Sequence, residues 1–156
     1  VGLGTDVAPH NLIEEMRLAA VLSRVSARDI RAGSTTAVFN AATIGGATAL
    51  GRPDLGRLAP GAKADLVLVD LTHPLMMPVR DPLRSLVFSA AERAVREVYI
   101  DGAQVVGEGR ALTIDPMPAL ERLVVAQRRM EAAAPERDPR RRRSEEIAPL
   151  AFRRGR

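Results

Sequence analysis

The hydrophobic pattern at the start of the chain predicts a strand followed by a helix. Residues 1–6 form a short apolar run with an acid, Asp6, at its end, as in a buried strand. Asn11 can cap a helix that we expect to run to about Arg24, because apolar residues recur at helical spacing after it. A strand and a helix in this order make one βα unit, and in an α/β barrel the chemistry takes place where the strands end. Asp6 occupies that position.

A second helical pattern opens at Ser34 or Thr35 and continues through Ala42. We expect the pair Gly45-Gly46 to end this helix, since glycine is favoured just past a helix end and disfavoured in the interior. The pair is not a phosphate-binding loop, because the lysine and hydroxyl residue that complete such a loop do not follow it.

The pattern changes to that of strands after residue 53. Leu, Val and Ile are concentrated at 64–70 and 95–100, and Asp101-Gly102 predicts a tight hairpin that leads to a third strand at 104–106. Three strands alone leave open edges, so this β unit looks incomplete. Two further helices are expected, at 82–89 and 116–133.

Composition narrows the class of protein. The chain has 156 residues, of which 46% are hydrophobic and only 3% aromatic, enough for one moderate core of aliphatic side chains. With no cysteine it can form neither a disulfide framework nor a thiolate metal site, which fits a cytoplasmic protein. Its apolar runs are far shorter than the roughly 20 residues of a membrane-spanning helix, so we expect no membrane span.

The formal net charge of +4 comes entirely from the end of the chain. Residues 135–156 hold eight arginines against four acids, whereas residues 1–134 hold fifteen charges of each sign. The prolines of this segment and its scarce apolar residues predict a disordered Arg-rich tail. Such a tail can contact nucleic acid through phosphates, but the chain has few aromatic residues and no basic stripe on its body, so we do not expect nucleic acid binding.

Several motifs occur in an order that resembles the C-terminal part of the amidohydrolase superfamily. They are Gly4-Thr5-Asp6 and then residues 11–17, 42–51, 56–67 and 98–102. The nearest branch is that of the cytosine deaminase-like and chlorohydrolase-like aminohydrolases. The resemblance covers residues 1 to about 130 and leaves the tail outside it.

The resemblance implies an α/β fold, namely the C-terminal portion of a (β/α)8 barrel with part of a small β-sandwich domain built from both chain ends. It assigns the last strand and helices of the barrel to 1–52, part of the sandwich to 53–115 and a C-terminal helix to 116–134, followed by the tail at 135–156. The family's metal-binding histidines and most of its substrate contacts lie upstream of Val1. The chain alone is therefore expected to be an incomplete, inactive part of a hydrolase whose N-terminal barrel portion is missing.

The resemblance gives Asp6 two roles, as a metal ligand and as a catalytic residue that shuttles a proton. A divalent cation keeps a neighbouring carboxylate ionised, and the carboxylate can take a proton from activated water and return it to the leaving group. The implied cofactor is one divalent metal ion, with zinc favoured over iron.

The two histidines do not extend this site by themselves. His10 lies on the loop beyond Asp6, where it can bind substrate, support Asp6 through a hydrogen bond, or be an exposed residue that leads into the helix. His73 precedes a proline after a strand, which favours a turn residue. Because the two histidines are 63 positions apart, they show no metal-ligand spacing and cannot form a sufficient zinc site with Asp6 alone.

The leading hypothesis is the C-terminal segment of a metal-dependent amidohydrolase. It would hydrolyse a C–N or C–Cl bond of a small heterocyclic amine or amide by means of metal-activated water. The alternative is a non-catalytic binding or assembly module, which complements a separate barrel fragment or forms a homo-oligomer through its open strand edges.

Overall fold

A computed structural model describes residues 1–6 and 9–151, and the chain divides into two units, Val1–Thr113 and Ile114–Arg156. The helices of the first unit are α1 (Leu12–Ala27), α2 (Thr35–Asn40), α3 (Gly46–Ala49) and α4 (Pro82–Ser85). Its strands are β1 (Leu66–Val69), β2 (Val95–Ile100), β3 (Ala103–Gly107) and β4 (Arg110–Ala111). The second unit contains α5 (Met117–Arg137) and α6 (Ser144–Ile147).

Helix α1 begins where the sequence predicts. The Asn11 side-chain oxygen accepts hydrogen bonds from the backbone N–H groups of Ile13 and Glu14, at 3.1 and 3.2 Å. These bonds satisfy two of the donors that a helix start leaves unpaired. The helix continues three residues beyond the predicted Arg24 and is capped by Arg28, which adopts a left-handed conformation with φ +51°.

Residues 1–6, for which the sequence predicts a strand, are not paired as a strand with any of the described residues. A strand needs a neighbour with which it shares a ladder of backbone hydrogen bonds. Within the described residues the sheet consists of β1 to β4 and does not include this segment. The segment lies against the second helical region instead, where the Leu3 N–H donates to the Ala41 carbonyl at 2.9 Å.

The prediction that Gly45-Gly46 ends the second helix is wrong. Helix α2 passes through a π-helical stretch, Ala41–Gly45, directly into α3, and the chain turns away at Gly51 with φ +65°. The glycines allow the first residues of the chain to approach the helix closely. A Cβ on Gly45 would lie only 2.3 Å from the Val1 carbonyl oxygen, so the position requires glycine for packing rather than for a helix end.

The sheet is antiparallel throughout, with strand order β1-β2-β3-β4. The predicted hairpin is confirmed, because Asp101 and Gly102 form the two-residue turn between β2 and β3 with φ values of +50° and +82°. A second turn at Glu108-Gly109 repeats these positive φ values and leads to β4, which the sequence did not predict. A strand of two residues is too short to show the alternation of apolar and polar residues by which strands are predicted.

Among the described residues of the first unit, buried side chains form two small clusters. Met16, Ala20, Val38 and Val87 make up one cluster between α1, α2 and a π-helical stretch, Leu86–Ala90. Met76, Ala90 and Ala94 make up the other, against which Val69 of β1 packs. The stretch Leu86–Ala90 contributes a buried residue to each cluster and thereby connects the helices to the sheet.

The described part of the second unit, residues 114–151, contains two helices. Helix α5 runs to Arg137, four residues past the predicted end, and Asp138 then accepts hydrogen bonds from the Arg142 side chain and from the N–H groups of Arg140 and Arg142. The side-chain hydrogen bond from Arg142 lowers the pKa of Asp138 to about 2. Helix α6 therefore follows a defined turn, and regular structure occurs within the segment for which the sequence predicts disorder.

Across residues 1–6 and 9–151, every helix falls short of the length and apolarity that crossing a bilayer requires.

Candidate active site

Asp6 lies at the end of the N-terminal segment, five residues before the Asn11 cap of α1. Its backbone is in the left-handed region, with φ +55°, a conformation that aspartate and asparagine adopt more readily than most residues. Its side chain is exposed. The carboxylate is thus presented at the surface of the first unit.

His10 lies close to the same segment. Its Nδ1 atom is 3.1 Å from the Oγ1 atom of Thr5, so a hydrogen bond closes the loop between the segment and α1. When the Thr5 hydroxyl donates this bond, the proton of the neutral imidazole is on Nε2, where it can be donated to another molecule. Thr5 had no role in the sequence analysis beyond its place in a motif, and the structure now places it against His10.

Asn11 connects this loop to a distant part of the chain. Its Nδ2 donates to the Oε2 atom of Glu92 at 2.8 Å, and Glu92 belongs to the 3-10 turn Ala91–Ala94 just before β2. The pKa of Glu92 is lowered by a hydrogen bond from its own backbone N–H and by the bond from Asn11. Glu92 could not be predicted from the sequence, because only the fold brings together two residues 81 positions apart.

The described residues do not complete a metal site. Within residues 1–6 and 9–151, no three His, Cys, Asp or Glu side chains are grouped so that they could hold an ion, whereas zinc sites use about three or four protein ligands. His73 Nδ1 instead accepts a hydrogen bond from the Leu75 N–H at 3.2 Å and caps the short turn Pro74–Met76, in agreement with its prediction as a turn residue. Of the candidate residues, Asp6 and His10 lie four positions apart in the sequence, and the hydrogen bond between His10 and Thr5 holds His10 beside the segment that ends at Asp6.

Comparison with known proteins decides the family. The sequence profile of the amidohydrolase family matches residues 1–105, which is more than half of the chain. The chain belongs to the amidohydrolase family. The resemblance stated from the sequence motifs is therefore confirmed.

Curated relatives of this amidohydrolase chain are deaminases. A 5-methylthioadenosine/S-adenosylhomocysteine deaminase from Pelotomaculum thermopropionicum is 43% identical over 119 residues, which are 74% of this chain and 28% of the relative. A 5'-deoxyadenosine deaminase from Methanosphaera stadtmanae is 36% identical over 124 residues, 77% of this chain and 29% of the relative. The chain thus spans less than a third of the length of these relatives.

Solved structures of amidohydrolases resemble the fold of this chain. One is an adenosine deaminase from Xanthomonas campestris with bound zinc, with a TM-score of 0.74 and 30% identity. The match covers 78% of this chain and 28% of the deaminase chain. Another is an atrazine chlorohydrolase from Arthrobacter aurescens TC1 complexed with zinc, with a TM-score of 0.62 and 29% identity. The match covers 76% of this chain and 26% of the chlorohydrolase chain. The mixed helical and strand fold is therefore shared with amidohydrolases whose structures contain zinc.

Proposed function

We propose that this chain is the C-terminal segment of a metal-dependent amidohydrolase that removes an amino group from a heterocyclic ring, in the first instance the adenine ring of a nucleoside. The observation that carries the proposal is the 43% identity to a 5-methylthioadenosine/S-adenosylhomocysteine deaminase over 74% of the chain, together with the match of the amidohydrolase family to residues 1–105, which include Asp6. The likeness to an atrazine chlorohydrolase makes hydrolysis of a C–Cl bond the nearest competing reaction.

Asp6 supplies one carboxylate ligand to a divalent metal ion in this proposal, and the remaining ligands come from residues outside the chain. Zinc is favoured because the structural neighbours contain it. Such an ion, when bound, lowers the pKa of water to about 7. The Asp6 carboxylate takes up a proton from the attacking water and transfers it to the amino nitrogen, which leaves the ring as ammonia.

The exposed apolar side of α1 supports the view that the chain is part of a larger fold. Leu18, Leu22 and Val25 are each at least half exposed, although the exposed side of a surface helix is usually polar. In a complete barrel, a neighbouring element would cover such a side. The chain alone is accordingly expected to be inactive.

His10 contributes to substrate binding in this proposal, and Thr5 fixes its orientation. The variant Thr5→Val removes the hydroxyl and should raise KM up to about tenfold, the effect of losing one hydrogen bond, with a smaller change in kcat. Thr5→Ser keeps the hydroxyl and is the matched control. Steady-state kinetics of the two variants tests the prediction, which is wrong if both give the same KM.

The proposed reaction can be tested on the native polypeptide that carries this chain, isolated from its source cells with an antibody and weighed by mass spectrometry. We expect a mass well above 16.8 kDa and release of ammonia from adenosine, 5'-deoxyadenosine or S-adenosylhomocysteine, lost on treatment with a chelator. Release of chloride from a chlorotriazine without release of ammonia would favour the competing reaction.

Two results would contradict the proposal. A long native polypeptide that releases neither ammonia nor chloride would exclude the hydrolase assignment. A native polypeptide of 16.8 kDa that is inactive would favour the alternative, a module that assembles with a separate barrel fragment.

A further inference from the structure

We propose that Glu92 is a positioning residue for the loop that carries Asp6 and His10, and that it acts through Asn11. The catalytic consequence of this inference rests on the proposed function, whereas the support of the loop does not. Glu92 is far from this loop in sequence and contacts it through the hydrogen bond of 2.8 Å from the Asn11 Nδ2 atom.

The Asn11 side chain uses both halves of its amide. The oxygen accepts from the N–H groups of Ile13 and Glu14, and the nitrogen donates to the Glu92 carboxylate. An ionised carboxylate only accepts hydrogen bonds, and backbone N–H groups only donate them, so one orientation of the amide satisfies all three contacts. The amide is therefore held from two sides.

Helix capping alone does not require an asparagine at this position. Asparagine and aspartate cap helix starts about equally well, because both present an oxygen to the backbone N–H groups. Only asparagine can also donate a hydrogen bond to Glu92. The contact with Glu92 is therefore a role of the Asn11 side chain that can be separated from the cap.

The loop is short enough to transmit this support to the candidate site. Four residues separate Asp6 from Asn11, and the hydrogen bond between Thr5 and His10 joins the two ends of the loop. On the other side, Glu92 lies two residues before Ala94, which is buried in the second cluster. A displacement of Asn11 would therefore move His10 and Asp6 relative to that cluster.

Three variants of the native polypeptide separate the support from the cap. Asn11→Asp keeps the cap but places two carboxylates opposite each other, and it should lower kcat about tenfold through misplacement of the catalytic group. Glu92→Gln keeps an acceptor oxygen and should stay within about twofold of the unchanged protein. The double variant N11D/E92Q restores the bond in the reverse direction, because the glutamine amide donates to the new carboxylate, and should recover most of the lost kcat.

Hydrogen exchange of the backbone amides at residues 10–14, measured without substrate, gives a second readout. We expect faster exchange in Asn11→Asp and recovery in the double variant. Glu131→Ala is the matched control, since it removes a similar bond between an amide and a carboxylate, from Gln127 at 2.9 Å on α5, and should change neither readout.

The inference is overturned if N11D/E92Q exchanges as fast as Asn11→Asp, or if Asn11→Asp lowers only the melting temperature and leaves exchange, kcat and KM unchanged. If the unchanged polypeptide shows no hydrolysis, the proposed function fails, while the exchange measurements still decide whether Glu92 supports the loop.

Discussion

Replacing Asp6 with asparagine should lower kcat of the native polypeptide by about 10²–10⁴-fold, the usual contribution of a general acid or base. Asparagine keeps the size of the side chain and tolerates the left-handed backbone of this position, φ +55°. It cannot take up a proton from water, so the loss should appear in kcat while the folded structure is retained. The measurement is steady-state ammonia release, with circular dichroism to check the fold.

Asp101→Asn is the matched control for this substitution. Asp101 is also exposed and has a φ of +50°, and its carboxylate pairs with Lys63 at 2.7 Å. Exposed ion pairs contribute little, so the control should keep kcat within about twofold. If Asp6→Asn is as active as Asp101→Asn, Asp6 has no part in the reaction.

Gly45→Ala should destabilise the first unit more than Gly46→Ala, the same substitution at the adjacent helical glycine. The added Cβ would lie 2.3 Å from the Val1 carbonyl oxygen, and a backbone atom cannot move aside as a flexible side chain can. Overpacking of this kind costs about 1–3 kcal/mol. Because residues 1–6 lead to Asp6, the substitution should also lower kcat.

Gly46→Ala provides the control for this effect on the adjacent residue. A Cβ on Gly46 would meet its nearest neighbour, the Ala41 oxygen, at 3.8 Å, which is an ordinary contact. Alanine is favoured over glycine in a helix by up to about 1 kcal/mol, so this variant should be as stable as the unchanged chain or more stable. Free energies of unfolding in urea test both variants, and equal values would mean that the segment does not pack on the helix as described.

The elements that the sequence predicted correctly depend on local signals. The Asn11 cap acts within three residues of itself, and the turn at Asp101-Gly102 is set by the positive φ of the same two residues. Gly45-Gly46 shows where local signals fail. Glycine past a helix end and glycine under a crossing segment look the same in a sequence, and only the contact with Val1 separates them.

The candidate site likewise contains residues that local signals identify and residues that only tertiary contacts identify. The family motif identified Asp6 as a candidate. His10 was a candidate because it lies on the loop that follows Asp6. Thr5 was within a motif but had no evident partner, because its bond to His10 depends on how the loop turns. Glu92 gave no signal at all, since its partner lies 81 positions earlier. Side-chain contacts between distant residues depend on tertiary structure, which periodicity and spacing do not encode.

The Leu86–Ala90 stretch bears on how parts of this chain could be exchanged between relatives. The sequence motifs suggest a division near residue 53, between the helical part and the sheet. Val87, however, comes from the later part and is buried among α1 and α2, while Ala90 belongs to the cluster beside β1. A chimera that joins the helices of one relative to the sheet of another must therefore match both surfaces of this stretch, even if the junction is placed in an exposed loop.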